Sequence, residues 1–497
     1  MRGSKEPTNM SRWMLTTVFV LSLSACMMGP DYKKPEPPAG DGWRLTPTTA
    51  ESLANLPWWE LLKDQELQEL IRTALQENQD LRVAVATVEQ FRAQLLISKF
   101  DLAPSLGYTG EATAYHNTNN QALTFGSGAI IPNPTGASGS GGTDFTRESG
   151  LVGLKWELDL WGRIRRSIEA ARAQLLSQEE NQRAVIIGLV GNVAETYFDL
   201  RALDLQVDIA KRTLKTWEES VRISRLRFDH GDIPKLDLDR FEAERAGTAA
   251  QLAELEQQVI QKENQLSLLL GRRSMPITRG LALTEQPMPP EVPPGLPSAL
   301  LQRRPDILQA EQQLASATAM IGVAQAQRFP QLSLTGAAGG AGFQLNSLAT
   351  GPFATIGASA TLTGPLLNAT ALGYQVQATE AQAKQALAQY EKAILVAFKE
   401  VEDALIAVQK TRERRNAQEE QVKALQSASN FATQRYQGGR ASYLDVLTAQ
   451  RNLFDAELAL AKTRRGQLVS MVQLYKALGG GWSPISGPEA ETLPTKG

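Results

Sequence analysis

The sequence predicts an α+β membrane protein written twice, each half pairing two amphipathic strands with one long coiled-coil hairpin. Three observations carry that expectation. A Pro-free stretch from Leu160 to Phe228 has helical periodicity over a length no ordinary globular domain uses. The turn that ends it recurs downstream, and four short segments alternate apolar and polar residues.

Composition bounds the possibilities. The chain has 497 residues, enough for two or more domains, with 42% hydrophobic residues, 21% charged residues and a net charge of −2. No basic excess offers the cationic face that displaces counterions, so no nucleic-acid partner is expected. Past the N-terminus no run of 18 apolar residues predicts a helical membrane span. At the N-terminus Arg12 precedes an apolar run from Trp13 to Leu23, which ends in Leu23-Ser24-Ala25-Cys26. A basic start, a short apolar core and small residues before a cut site make residues 1–25 a secretory signal peptide. The ending resembles the bacterial lipoprotein box, which makes Cys26, the one cysteine of the chain, the lipidation site. Met27 follows in place of Asp, and by resemblance to sorted lipoproteins this favours the outer membrane. Residues 26–79 are expected to hold a lipidated tether, Pro-rich over Pro30 to Gly42, and then an amphipathic segment with Leu67, Leu70, Ile71 and Leu75 on one side.

Residues 80–271 read as the first repeat. A helix stopped by Pro104 leads into strands over about 105–116 and 145–159, joined by a Gly-, Ser- and Asn-rich loop from Asn117 to Thr143. The hairpin over about 160–271 has a seam of Leu200, Leu203, Val207, Ala210, Leu214, Trp217, Val221, Ser224 and Phe228, whose alternating steps of three and four define a coiled coil. Gly231 and Pro234 punctuate its turn, and Leu238, Phe241, Leu252, Leu255, Val259, Leu266 and Leu269 line the return helix. Residues 272–305 are a Pro-rich linker, and residues 480–497 a C-terminal tail.

Residues 306–479 repeat the plan. Arg227-Phe-Asp-His-Gly231 with Leu236-Asp237 matches Arg435-Tyr-Gln-Gly-Gly439 with Leu444-Asp445, at the offset of 208 that separates Asp237 from Asp445. Asp80 and Asp306, like Pro104 and Pro330, stand 226 apart, so the extra residues of the first half fall in the loop. The second pair of strands is expected over about 331–343 and 353–363, with a helical hairpin over about 366–479. In all four segments one face is apolar and the other polar at a period of two: Val152, Leu154 and Trp156 alternate with Gly153, Lys155 and Glu157. Each is about ten residues, the length of a tilted membrane strand. A water-soluble sheet with one buried face would alternate in the same way. If the strands are in lipid, four cannot close a barrel, and an open edge is intolerable there. Two copies would supply eight strands and three would supply twelve with room for a passage.

The signal and lipoprotein box, the duplicated halves and the paired hairpins resemble the TolC/OprM-like outer membrane factor family, in its NodT-type efflux lipoprotein branch. Arg435-Tyr436, Gly439, Leu444-Asp445, Ala449-Gln-Arg451 and Leu474-Tyr-Lys-Ala-Leu-Gly-Gly-Gly-Trp482 are similar to that branch's C-terminal run, and Asp31-Tyr-Lys-Lys-Pro35 to its start. The resemblance implies a homotrimer with a twelve-stranded barrel in the outer-membrane lipid and a helical tunnel below, banded by a smaller mixed region. It implies a periplasmic adaptor docking at tips formed by Arg227, Gly231, Leu236, Asp237, Arg435, Gly439, Leu444 and Asp445. Gly231 and Gly439 would permit the tight turns, Leu236 and Leu444 would pack beneath them, and Asp237 and Asp445 would cap the return helices. A periplasmic gate is implied around Thr433, Arg435 and Tyr436, with Thr433 standing where similar channels carry an acid.

No chemistry of an enzyme is written here: there is no phosphate-cradling GxxxxGK[ST], no HExxH, no GxSxG and only two histidines. No cofactor or metal is expected, and Gly336 to Gly342 reads as a barrel turn. Charges such as Glu218 and Arg222 read as i,i+4 pairs on solvated helix faces. The expected function is a passive exit duct of a tripartite efflux pump, with an RND-type inner-membrane transporter supplying energy. The alternatives are a type I protein-secretion exit channel and a structural coiled-coil envelope lipoprotein without a pore.

Overall fold

The computed structural model describes residues 27–35, 59, 62–117, 123–124, 130–131, 143–287, 303–342 and 354–480. Cys26 and the signal sequence, the Pro-dense part of the linker, most of the Asn117–Thr143 loop and the tail beyond residue 480 lie outside the described residues. In chain order the elements are α1 (Gln65–Glu77), α2 (Gln79–Phe100), β1 (Ser105–Asn117), β2 (Leu123–Thr124), β3 (Ile130–Ile131), β4 (Thr143–Leu158), α3 (Arg163–Asp229), α4 (Lys235–Leu269), α5 (Pro305–Ala326), β5 (Gln331–Gly342), β6 (Ala354–Thr363), α6 (Ala369–Gln437) and α7 (Tyr443–Ala477). None of the described helices is long and apolar enough to cross a membrane.

The chain divides into two compact units. The first, residues 1–33, 92–174 and 314–385, carries the sheet. Its four main strands run β1-β4-β5-β6, all antiparallel, so the strands of both halves lie side by side in one sheet. Gly336 to Gly342, read both as the end of the strand expected over about 331–343 and as a barrel turn, belong to β5. Glycine is a poor strand former by propensity, but a Cβ on Gly339 would stand 2.1 Å from the Gly150 carbonyl oxygen. The close approach of two strands requires glycine at that position.

The second unit, residues 34–91, 175–313 and 386–497, is helical. The coiled-coil seam is buried at Leu200, Leu203, Val207, Ala210, Trp217 and Ser224 and opens to solvent at Phe228. Its main core joins Leu67, Ile71 and Ala74 of α1 to Val193, Tyr197 and Phe198 of α3, Leu266 of α4 and Val472 and Tyr475 of α7. Each half locks the end of its return helix in the same place. Asn78 donates from Nδ2 to the Leu269 carbonyl (2.9 Å) and accepts from the Leu81 N–H (2.9 Å), capping α2. At the matching position, Arg304 donates from Nη1 to the Ala477 carbonyl (2.9 Å) and pairs with Asp306 and Glu400, both at 2.6 Å. On the helix faces, Arg222 pairs with Glu219 and not with the expected Glu218, because the i,i+3 carboxylate meets the guanidinium fork at 2.6 Å.

A buried carboxylate anchors α1. Asp64, 1% exposed, accepts from the Glu66 and Leu67 N–H groups as the N-cap. Its second oxygen accepts from the Tyr197 hydroxyl (2.8 Å), the Leu281 N–H (3.2 Å) and Gln286 Nε2 (2.5 Å). Burial first, and the bond to Asp64 second, push the Tyr197 phenol well above its ordinary range.

Candidate functional site

Two regions have the geometry to act: one face of the sheet and the turns of the helical hairpins. Paired residues on neighbouring strands share a face, so the register shows what each face presents. One row runs Leu106, Leu154, Gly336 and Ala358, and the next Tyr108, Val152, Ala338 and Ile356. Trp156, Leu334 and Ala360 continue this apolar face, as do Leu158, Leu332 and Leu362. Tyr108 and Ile356 are each 90% exposed. On the other face the rows are Ser105, Lys155, Thr335 and Ser359, then Glu157, Ser333 and Thr361. The Thr335 and Ser359 hydroxyls bond across the strands at 2.7 Å. Among the described residues nothing covers the apolar face, which does not fit a water-soluble sheet with one buried face.

The hairpin turns are built alike. At the first, the Asp232 N–H reaches back to the Arg227 carbonyl (2.8 Å) and the Gly231 N–H to Phe228 (2.9 Å). At the second, Arg440 bonds Arg435 (2.7 Å) and Gly439 bonds Tyr436 (3.0 Å). This six-residue closure needs a left-handed residue, supplied by Gly231 at φ +79° and Gly439 at φ +70°. No atom lies within 4 Å of a Cβ at either glycine. Gly231→Ala and Gly439→Ala should thus each cost about 1–2 kcal/mol through backbone strain alone, read as a lowered unfolding midpoint with unchanged helical content.

Two expectations at the turns need correcting. Asp237 and Asp445 are not N-caps. The return helices start earlier, behind Pro234 and Ser442, which puts both acids in the first turn. Asp445 instead completes a capping box: it accepts from the Ser442 N–H (3.1 Å), and its own N–H donates to Ser442 Oγ (3.3 Å). The first return helix has no side-chain cap, because proline stands at the cap position. Leu236 and Leu444 do not pack beneath the turns either; they are 58% and 50% exposed. Each tip thus presents an apolar side chain to solvent.

The structure brings residues of the two tips together. The Arg227 guanidinium lies 4.5 Å from the centre of the Tyr436 ring, a cation–π contact between the ends of α3 and α6. Arg435 turns back onto the Arg440 carbonyl (3.3 Å) and stays exposed. Thr433 donates to the Ser429 carbonyl (2.9 Å) and lines an uncharged groove of about 420 Å³ with Thr213, Thr216 and Gln450. A second link, invisible in the sequence, joins the return helices: Arg240 bonds the Tyr443 hydroxyl, and Tyr443 meets Phe241 edge-on at 6.2 Å. Phe241 in turn faces Trp217 at 6.2 Å. Higher on α3, Asp199 pairs with Lys262 (3.0 Å) and Arg465. Burial lifts the nearby Glu195 carboxyl above its usual range, against the pull of Lys476 and Arg465.

A family described as "Outer membrane efflux protein" matches residues 70–272 and 296–480. The antibiotic efflux pump outer membrane protein ArpC of Pseudomonas putida is 36% identical over 483 residues, covering 95% of this chain and 96% of its own. The cation efflux system protein CusC of Escherichia coli O157:H7 is 32% identical over 474 residues, covering 94% and 98%. Among solved structures, the open state of the Neisseria gonorrhoeae MtrE outer membrane channel is similar with a TM-score of 0.79 and 29% identity, covering 92% of this chain and 99% of that one.

Proposed function

We infer the function from one premise: the chain belongs to the outer membrane efflux protein family. It is the outer-membrane channel of a tripartite efflux pump, with the duplicated TolC-like fold, conducting solutes passively from the periplasm outward. The sheet carries this reading. Among the described residues its apolar face is bare and its edge strands β1 and β6 each lack a neighbour on one side. In lipid such edges must be paired. Three copies of four strands make a closed barrel of twelve, wide enough for a passage lined by the polar face. The exposed Leu236 and Leu444 offer a periplasmic adaptor an apolar foothold at the tips, and an RND-type inner-membrane transporter supplies the energy. Arg227 and Tyr436, with Thr433 and Arg435 beside them, form the periplasmic gate. Cys26 carries the lipid that tethers each copy to the outer membrane.

Relatives of comparable identity are named for unlike cargoes, antibiotics in one and cations in another. A wide duct lined by small hydroxyls and by charges of both signs, Lys155 and Glu157, suits such breadth, and cargo choice falls to the transporter. The decisive measurement is single-channel conductance of the detergent-extracted protein in planar bilayers. Discrete ohmic currents are expected, and a scaffold without a pore would pass none. Cys26→Ala should lack the acyl mass in intact-protein mass spectrometry; normal acylation of that variant would overturn the anchor assignment.

A further inference from the structure

We propose that the cavity between α3, α4 and α7 binds an organic dianion, a dicarboxylate or a phosphate ester. Helical spacing assembles it. Gln258, Gln261 and Gln265 stand at steps of three and four on α4, so they share one face, with Lys262 beside them. Lys462 and Arg465 lie one turn apart on α7, and Asp199 comes from α3. The space they line is about 640 Å³, within the range of small-molecule sites and far larger than an inorganic ion needs.

Charge selects the ligand. Three cations line the cavity against one acid, a net charge of +2 in a chain whose total is −2. Asp199 is shared between Lys262 (3.0 Å) and Arg465, which neutralises only one of the three. Lys462 is exposed and has no ion-pair or hydrogen-bond partner among the described residues. The flanking acids are committed elsewhere: Glu263 pairs with Arg279, and Asp204 with Arg201 (2.6 Å) and Arg279 (3.2 Å). Glu195, one turn away on α3, has Lys476 to face as well as Arg465. The positive excess is therefore left for an outside anion, and a recess lined by one sign of charge concentrates counter-ions. Two negative groups match it: one meets Lys462, and the other lies between Lys262 and Arg465. The glutamine amides, which both donate and accept, suit hydroxyl or amide groups on the ligand's body better than an apolar chain. Because α3 and α4 form the first hairpin and α7 belongs to the second, the bound anion ties the two halves of the helical unit together.

The test is isothermal calorimetry of the full-length, detergent-extracted protein at low ionic strength, with succinate and glycerol 3-phosphate as probes. Saturable binding of at least one, at one site per chain, is expected, and the tighter of the two identifies the ligand as an organic acid or a phosphate ester. Lys462→Gln should weaken that binding about fivefold. So should Gln261→Glu, which keeps every cation but brings a negative charge into the cavity. Lys423→Gln, on α6 outside the cavity, should leave it unchanged. All three side chains are exposed, so circular dichroism of each variant should match the wild type. Heats that saturate with neither probe, as when a neighbouring copy fills the cavity, overturn the proposal. Binding that Lys462→Gln and Gln261→Glu leave intact, or that Lys423→Gln weakens equally, overturns it too, since diffuse surface charge would then be its source.

Discussion

Asp64→Ala should be among the most destabilising single substitutions in the helical unit, at about 4 kcal/mol. Two losses combine. The N-cap of α1 disappears, worth about 1 kcal/mol. The Tyr197 hydroxyl, the Leu281 N–H and Gln286 Nε2 then face a void, and buried donors without acceptors cost about 1–3 kcal/mol each before relaxation. Asp64→Asn separates the two. It keeps an oxygen for Glu66 and Leu67 but turns an amide N–H₂ toward three donors, so it should recover the cap and little else. Guanidinium titration of the detergent-solubilised protein, followed by far-ultraviolet circular dichroism, measures both. An Ala variant within about 1 kcal/mol of wild type would mean that water has replaced the carboxylate.

Breaking the contact between Arg227 and Tyr436 should open the channel. A partly exposed cation–π pair is worth about 1 kcal/mol. In a three-copy channel the pairs act on one closure, so their loss removes about 3 kcal/mol from the closed state, more than a hundredfold in its population. Arg227→Ala and Tyr436→Ala should each raise open probability in planar bilayers, and the double variant should add little to either. The cycle matters because Tyr436 alone also contributes packing. Three variants that conduct like the wild type would show that the contact holds nothing shut.

The helical hairpins were legible because their information is local: apolar residues at steps of three and four place Trp217 and Leu203 on one seam wherever the partner lies. The strands were legible by period, but the pairing of β4 with β5, across the two halves, is not encoded within either segment. Reading Gly336 to Gly342 as a turn failed for a similar reason, since glycine signals turns by propensity and the approach of Gly150 to Gly339 is not written in the local sequence. At the tips, the recurrence of the motif located the turns correctly, while the roles of Asp237 and Asp445 depended on where each helix begins, a matter of one turn. Leu236 and Leu444 looked like packing residues because a sequence does not say which leucines its own chain leaves bare. Asp64 stayed hidden altogether: its partner Tyr197 lies 133 residues away.

The locks at the ends of the two return helices differ in kind. Asn78 holds its half with a neutral amide, whereas Arg304 holds the other through two acids. Removing either acid would leave a guanidinium that is only 6% exposed short of a partner in a poorly solvated place, whereas Asn78 carries no charge to strand. Duplication thus left one copy of the ancestral unit dependent on charge at this joint and its twin indifferent to it.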